Sequence, residues 1–210
     1  ADRQRTMNTI FGIFQDISIA DIGESLLAQA DIFYFTGYIC DTDSQKSAIN
    51  PSLSISKENR IKLIFDVADP FAVQRYRDAF LTLIEEEADV VFANQAELSI
   101  LFDTKDINVA ANSLGRIVNI AAVKLGKEGC LVIENGNLCK ITSRPIIAKD
   151  STGAGDMFAA GFIAALSKGY SGKAAAEIGG YLAEEIIQIP GAQFEKSVIK
   201  QLNVDLPWPK

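Results

Sequence analysis

The chain of 210 residues contains no histidine. This absence excludes Ser-His-Asp and Cys-His nucleophilic catalysis, and it excludes metal sites built on imidazole. Acid–base chemistry must therefore use carboxylates, lysine, tyrosine or cysteine. Cysteine is scarce as well, because only Cys40, Cys130 and Cys139 are present, without the spacing of metal ligands. We therefore expect reduced thiols and no disulfide.

Long apolar runs and an excess of positive charge are also missing. No apolar run is long enough to cross a bilayer, and the first residues do not resemble a signal peptide. Acidic residues outnumber basic ones, 27 against 20, which gives a formal net charge of -7. This charge argues against a nucleic-acid or membrane-surface partner. A length of 210 residues with 48% apolar residues predicts one soluble globular domain over residues 1–210. The reduced thiols indicate a cytoplasmic location.

Apolar runs of strand length alternate with segments of helical periodicity along most of the chain. The predicted strands lie at residues 31–38, 61–67, 89–93 and 120–125. The predicted helices lie at residues 21–29, 44–59 (interrupted at Pro51), 70–87, 95–102, 109–116, 173–188 and 195–202, with a further helix after residue 156. This alternation predicts a three-layer α/β/α sandwich with a mostly parallel sheet. Asn135-Gly136, between the apolar runs 130–133 and 138–141, predicts an antiparallel hairpin toward one edge.

The stretch Asp150-Ser-Thr-Gly-Ala-Gly-Asp156 is a glycine-rich turn that leads into a helix. Phe158, Phe162 and Leu166 recur every four residues after it, which predicts one buried helix face. Thr152 is the predicted N-cap of this helix. We refer to residues 150–156 as the signature loop.

The amides of Gly153, Ala154 and Gly155 would then have no partner inside the helix. They would lie at the positive end of the helix dipole, which favours an anion, and glycine lets the anion approach closely. Asp156 is placed to accept a proton from a nucleophile that attacks this anion. The competing interpretation is a glycine-rich helix start that only allows tight packing.

The signature loop resembles the Asp-Thr-x-Gly-Ala-Gly-Asp motif of the ribokinase-like (PfkB) family of sugar and nucleoside kinases, with Ser151 where threonine is usual. Residues 5–9 and 66–71, the latter followed by Arg75 and Arg77, resemble the adenosine-kinase-like branch. The resemblance begins partway through the family's domain. It therefore implies the C-terminal nucleotide-binding portion of a kinase, with little of the part that holds the sugar or nucleoside.

The resemblance implies roles for the signature loop. Asp156 is the implied catalytic base, which accepts the proton of a primary hydroxyl as that oxygen attacks the γ-phosphoryl group of ATP. The amides of Gly153, Ala154 and Gly155 are implied to stabilise charge on the transferring phosphoryl oxygens. The plain alternative for Asp156 is an acidic residue favoured at a helix start.

Asn94-Gln-Ala-Glu97 resembles the family's Asn-x-x-Glu motif. The resemblance implies that Asn94 and Glu97 position Mg²⁺ and the ATP phosphates, with Glu97 acting through water. The same spacing is also a helix capping box, and both roles are compatible.

Two further loops are implied to flank the nucleotide. Lys124, Gly126 and Gly129 form a strand-end loop, although threonine is commoner at the first position and a simple strand-to-hairpin turn explains the glycines equally well. Gly191, in the Pro190–Ala192 loop, is implied to flank the adenine and, with Asp150 and Thr152, a monovalent cation such as K⁺. A helix stop explains that loop as well.

Two elements carry weaker implications. Gly37-Tyr38 matches a Glu-Gly-Tyr element of the relatives, but Thr36 replaces the glutamate. Arg75 and Arg77 lie on a predicted helix, where they are either phosphate ligands or surface charges.

The sequence thus predicts an ATP- and Mg²⁺-dependent kinase acting on a primary hydroxyl of a sugar or nucleoside, with an adenosine- or ribose-like acceptor, as a monomer or homodimer. The alternative is a non-catalytic nucleotide-binding fragment or degenerate kinase. A Rossmann dehydrogenase is excluded, because no Gly-x-Gly-x-x-Gly follows an early strand.

Overall fold

The computed structural model describes residues 12–195. This part of the chain contains six strands, namely β1 (Ile32–Thr36), β2 (Lys62–Asp66), β3 (Val90–Asn94), β4 (Ile120–Lys124), β5 (Cys130–Glu134) and β6 (Asn137–Ile141). The α-helices of this part of the chain are α1 (Glu24–Leu27), α2 (Asp43–Asn59), α3 (Pro70–Glu86), α4 (Gln95–Leu101), α5 (Ile107–Leu114), α6 (Ala154–Ser167) and α7 (Gly172–Ile186). The predicted helix at 195–202 and the motif at 5–9 lie outside the described residues.

The six strands form one sheet in the order β1-β2-β3-β4-β5-β6. β1 pairs in parallel with β2, with Ile32 opposite Lys62, and β2 pairs in parallel with β3, with Ile64 opposite Val90. The strands β2, β3 and β4 have buried centres, as expected for a sheet covered by helices. The predicted α/β class with a mostly parallel sheet is confirmed.

The predicted hairpin is confirmed at the edge of the sheet. Asn135 and Gly136, between β5 and β6, both adopt positive φ angles of 51° and 76°. A two-residue turn with positive φ at both positions matches the twist of antiparallel strands, and Asn-Gly adopts it at low cost.

The chain divides into two compact units. Of the described residues, the larger unit comprises 12–123 and 133–137, and the signature unit comprises 124–132 and 138–195. In the larger unit, Phe65 packs edge-to-face on Phe80 with ring centroids 5.1 Å apart. In the signature unit, α6 and α7 pack so closely at Gly161 and Gly179 that a methyl group on Gly161 would lie 2.9 Å from the Gly179 Cα. The single domain over 1–210 stays a prediction, since both ends of the chain lie outside the described residues.

The interruption predicted at Pro51 is wrong, because α2 continues through this residue from Asp43 to Asn59. Proline removes one helical hydrogen bond. A capping box between Thr42 and Gln45 holds the start of the helix. The helix also buries a face that includes Ala48 and Ile49, and this burial outweighs the lost bond.

Two other helix predictions have opposite outcomes. The helix predicted at 21–29 is reduced to α1, four residues long, after a short 3₁₀ turn at Ile19–Asp21. The helix predicted at 70–87 is confirmed as α3, with Pro70 in its first turn. Asp69 caps α3, since its Oδ1 accepts hydrogen bonds from the amides of Phe71 at 2.7 Å and Ala72 at 3.2 Å.

Candidate active site

The signature loop ends at Gly153, which is the N-cap of α6 and has a φ of +78°. The prediction that Thr152 caps this helix is therefore wrong. The Thr152 hydroxyl instead donates to Oδ1 of Asp150 at 2.6 Å, and the Thr152 amide donates to the same oxygen at 2.9 Å. Because Asp150 engages the threonine, the cap falls one residue later and requires the left-handed conformation that glycine adopts without strain.

The start of α6 presents free amides. Within residues 12–195, the amides of Gly153 and Gly155 make no hydrogen bond, and the Ala154 amide makes only a long one of 3.4 Å to the Ser151 carbonyl. The Asp156 side chain is exposed in the first turn and has no hydrogen-bond or ion-pair partner in the described part of the chain. Unpaired amides at a helix start, with a carboxylate in the same turn, are the arrangement that an anion site needs, and the predicted anion and base roles stay predictions.

Asp150 holds the signature loop against the loop that follows α7. Its Oδ2 accepts a hydrogen bond from the Gly191 amide at 2.9 Å. The amides of Lys149 and Asp150 donate to the Ile187 carbonyl at 2.7 and 3.2 Å. Asp150 therefore has a structural function, and its predicted role toward a monovalent cation stays a prediction.

Ala192 packs directly on Gly153, which sequence reasoning missed. A methyl group on Gly153 would lie 2.7 Å from the Ala192 Cβ and 2.9 Å from its Cα. No local pattern signals this contact, since the two residues are 39 positions apart in the sequence. Gly191 has a φ of +85°, and its amide donates to Asp150. These two features explain the glycine without its predicted contact with the nucleotide, which stays a prediction.

Lys124 lies at the start of α6. A methyl group on Gly155 would lie 3.6 Å from Lys124 Nζ, so the ammonium group is adjacent to the backbone of the helix's first turn. A cation and the positive end of a helix dipole repel each other, and a bound anion relieves this repulsion. The structure thus brings Lys124 next to the signature loop, and the predicted place of Lys124 beside the nucleotide stays a prediction.

The glycines after Lys124 differ in their surroundings. Gly129 has a φ of +94°, and any side chain there would overlap the Ile141 carbonyl at the end of β6. The strand-to-hairpin turn, which was the alternative to a nucleotide contact, is sufficient to explain Gly129. Gly126 also has a positive φ, +62°, but faces open space, so it leaves room beside the loop.

Asn94 and Glu97 lie in the larger unit, where β3 ends and α4 begins. Asn94 Oδ1 accepts from the Glu97 amide at 3.0 Å, and Glu97 Oε2 accepts from the Asn94 amide at 2.7 Å. The Asn94 side-chain amide also donates to Glu97 Oε1. The capping box is therefore formed. Glu97 is only 1% exposed, and its predicted role toward Mg²⁺ through water stays a prediction.

Structural contacts explain three residues whose implied roles were weak, namely Gly37, Arg75 and Arg77. A methyl group on Gly37 would lie 2.6 Å from the Val67 carbonyl oxygen, so close packing explains this glycine. Arg75 pairs with Asp41 at 2.7 Å, and Arg77 Nε donates to the Leu101 carbonyl at 2.8 Å. Both arginines have partners within their own unit, which favours the surface-charge interpretation.

Two further features are absent from residues 12–195. No group of three or more histidine, cysteine, aspartate or glutamate side chains is arranged to hold a metal ion in residues 12–195. None of the helices in that range is both long and apolar enough to cross a membrane.

The comparisons with known proteins agree with this geometry. An uncharacterized sugar kinase of Archaeoglobus fulgidus is 28% identical over 189 residues, covering 87% of this chain and 71% of the relative. The adenosine kinase of Dictyostelium discoideum is 29% identical over 208 residues, covering 90% of this chain and 60% of the relative. The crystal structure of adenosine kinase from Sinorhizobium meliloti superposes with a TM-score of 0.85 at 30% identity, covering 90% of this chain and 59% of that one.

The chain therefore spans between 59% and 71% of the length of these relatives. The superposition confirms the predicted ribokinase-like α/β fold class. A model of the pfkB family carbohydrate kinases matches residues 1–198. The chain belongs to the pfkB family of carbohydrate kinases.

Proposed function

We propose that this chain is the nucleotide-binding portion of an ATP-dependent kinase that transfers the γ-phosphoryl group to a primary hydroxyl of a sugar or nucleoside. One observation carries the proposal. The first turn of α6 presents the free amides of Gly153 and Gly155 beside the Lys124 ammonium and the exposed Asp156 carboxylate.

These groups have complementary tasks. The amides of Gly153 and Gly155 and the Lys124 ammonium stabilise negative charge on the transferring phosphoryl oxygens. The Ala154 amide joins them once it gives up its long bond to the Ser151 carbonyl. Asp156 accepts the proton of the attacking hydroxyl, which contributes roughly 10²–10⁴-fold to the rate. Asp150 keeps the loop in place through its bonds to Thr152 and Gly191.

Asn94 and Glu97 suit a role toward Mg²⁺. The ion keeps several of its waters in kinases and is held by few carboxylates together with the substrate phosphates. The buried Glu97 carboxylate, ordered by two hydrogen bonds from Asn94, would hold such a water. When bound, the ion neutralises charge on the phosphates. We also propose, as implied by the resemblance, that Asp150 and Thr152 contribute to a site for K⁺.

The acceptor is proposed to be adenosine- or ribose-like. The resemblance to the adenosine-kinase-like branch supports this, as does the similarity to adenosine kinases of Dictyostelium discoideum and Sinorhizobium meliloti. A phosphorylation screen of the intact gene product against ribose, fructose, adenosine and other nucleosides tests it. ATP binding without phosphate transfer to any acceptor would favour the degenerate kinase instead.

The Asp156→Asn variant tests the mechanism. We expect turnover to fall by about 10²–10⁴-fold, because the proton acceptor is lost, while ATP affinity stays close to that of the wild type. Steady-state kinetics and calorimetric titration with ATP measure the two quantities. Asp43→Asn is the matched control, since Asp43 is also an exposed aspartate in the first turn of a helix, α2. Near-normal turnover of Asp156→Asn would overturn the assignment of the base.

A further inference from the structure

The segment that leads into the signature loop, residues 142–149, lies on the protein surface. It contains no helix, no strand and no buried side chain, and Ile147 is 79% exposed. Apolar burial therefore contributes little to the position of this segment. Its position depends mainly on polar contacts, and those made by Arg144 have no part in the proposed chemistry.

Arg144 binds the last turn of α7 through its backbone and its side chain. Its amide donates to Glu184 Oε1 at 2.8 Å, and its Nε donates to Glu184 Oε2. Its Nη2 donates to Glu185 Oε1 at 2.7 Å. The guanidinium group also lies over the Tyr181 ring, 4.7 Å from the ring centroid. One arginine is thus held by two carboxylates and an aromatic ring of the same helix.

This arrangement differs from an ordinary surface ion pair, which contributes little because water screens the charges and two long side chains lose freedom. The Glu184 side chain is only 13% exposed, and it accepts from both the amide and the guanidinium group of Arg144. The next residue is Pro145, which restricts Arg144 to extended backbone conformations. The contacts therefore fix the backbone of Arg144 as well as its charge.

The same end of α7 also holds the other end of the segment. The amides of residues 149–150 donate to the Ile187 carbonyl at 2.7 and 3.2 Å. Glu184 and Ile187 are three positions apart, which is less than one helical turn. The segment is thus attached to one rigid element at both of its ends, at Arg144 and just before the signature loop.

We infer that Arg144 is a positioning residue of the proposed active site. By holding the start of the segment on α7, it limits the movement of Asp150 and of the amides of Gly153 and Gly155 that follow. Such donors act on a transferring phosphoryl group only from the correct place, since a misplacement of about 1 Å can cost about 10²-fold in rate. The inference rests on the proposed function, because it assigns the signature loop to the nucleotide.

Solvent exchange of amide hydrogens, followed by NMR on the ¹⁵N-labelled 210-residue chain, tests this role without any ligand. Arg144→Ala should speed the exchange of residues 149–150 and Gly191 by about tenfold, because the loss of charged hydrogen bonds favours local opening. The Ile178 amide, in the middle of α7, should keep its rate. Unchanged rates at residues 149–150 and Gly191, or an equal rise at Ile178, would overturn the inference.

Lys140→Ala is the matched control. The Lys140 side chain is 49% exposed, close to the 47% of Arg144, and its ammonium group pairs with Glu128 at 3.2 Å within the same unit. In residues 12–195 it makes no hydrogen bond or ion pair with α7. The control should therefore leave the exchange of residues 149–150 and Gly191 unchanged. A rise as large as that of Arg144→Ala would show that the loss of any charge suffices, against the inference.

Calorimetric titration with ATP adds the functional measurement. Arg144→Ala should weaken ATP binding about threefold to tenfold, and Lys140→Ala should not. The double variant Arg144→Ala with Glu184→Ala should bind ATP as Arg144→Ala does, because the two residues act as one network. Unchanged affinity in Arg144→Ala, or additive losses in the double variant, would refute the positioning role. If the wild-type chain binds no ATP, the proposed function fails by itself, and the exchange rates still decide whether Arg144 fixes the loop.

Discussion

Replacing Gly153 by alanine separates two reasons for a glycine in the signature loop. Gly153 and Gly169 flank α6 and have nearly equal φ angles, +78° and +80°. A methyl group on Gly169 meets nothing within 4 Å, whereas one on Gly153 would lie 2.7 Å from the Ala192 Cβ, where ordinary contacts are at 3.4–4 Å. The two substitutions therefore share the backbone strain and differ in the steric overlap.

This comparison sets the expected loss in the free energy of unfolding for each variant. A left-handed backbone conformation costs a non-glycine residue about 1–2 kcal/mol, so Gly169→Ala should lower the free energy of unfolding by that amount. Gly153→Ala adds an overlap worth about 1–3 kcal/mol, for a total of about 2–5 kcal/mol. The overlap also separates the signature loop from the loop bearing Ala192, so we expect Gly153→Ala to lose ATP affinity and Gly169→Ala to keep it.

Urea denaturation followed by far-UV circular dichroism measures the free energy of unfolding, and calorimetry measures ATP binding. The informative quantity is the difference between the two variants, because the backbone contribution cancels. Equal destabilisation by Gly153→Ala and Gly169→Ala would refute the argument that close contact with Ala192 requires the glycine.

Three further predictions concern stability. Asn94→Ala should lower the free energy of unfolding by about 1–3 kcal/mol, because it removes a helix cap and the side-chain donor to the buried Glu97 carboxylate. Asp106→Ala, at the exposed cap of α5, should lower it by about 1 kcal/mol. Equal losses in urea denaturation would contradict this. Pro51→Ala should stabilise the protein by about 1–2 kcal/mol, since the regained helical bond exceeds the lost rigidity of the unfolded chain. An unchanged or lower Tm would show that α2 loses nothing at the proline. Burial, with a smaller effect of nearby Cys139, raises the pKa of Cys130 to about 12 from an ordinary 9.0. The contribution of the neutral thiol to the free energy of unfolding is therefore complete below pH 9. As the pH rises toward 12, this contribution falls by about 1.4 kcal/mol per pH unit. Urea midpoints between pH 8 and 10.5 should fall less steeply for Cys130→Ala, and identical slopes would be evidence against this burial effect.

Sequence reasoning succeeded where the determining interaction is local. The Asn135-Gly136 hairpin follows from the positive φ angles that a two-residue turn needs. The capping box of Asn94 and Glu97 follows from hydrogen bonds between residues three positions apart. Pro70 at the start of α3 follows from its fixed φ and its missing amide donor, which the first helical turn does not need. The alternation of strands and helices predicted the α/β class for the same reason, since periodicity records which side of each element is buried.

Sequence reasoning failed where a distant residue or a competing local hydrogen bond determines the local structure. Thr152 has the right chemistry for an N-cap, but Asp150 takes its hydroxyl and amide, so the cap moves to Gly153. Pro51 would stop an isolated helix, yet α2 continues because its buried face packs in the larger unit.

The sequence by itself determined the fold class and the residue types of the candidate site, because glycines before a helix and an aspartate in its first turn are features of one short segment. Tertiary structure alone decided the contact of Ala192 with Gly153 and the position of the Lys124 ammonium beside Gly155. These contacts join residues about 30 to 40 positions apart, and no periodicity or cap encodes them. They exist only once the strand-end loop and the loop after α7 have both packed at the start of α6.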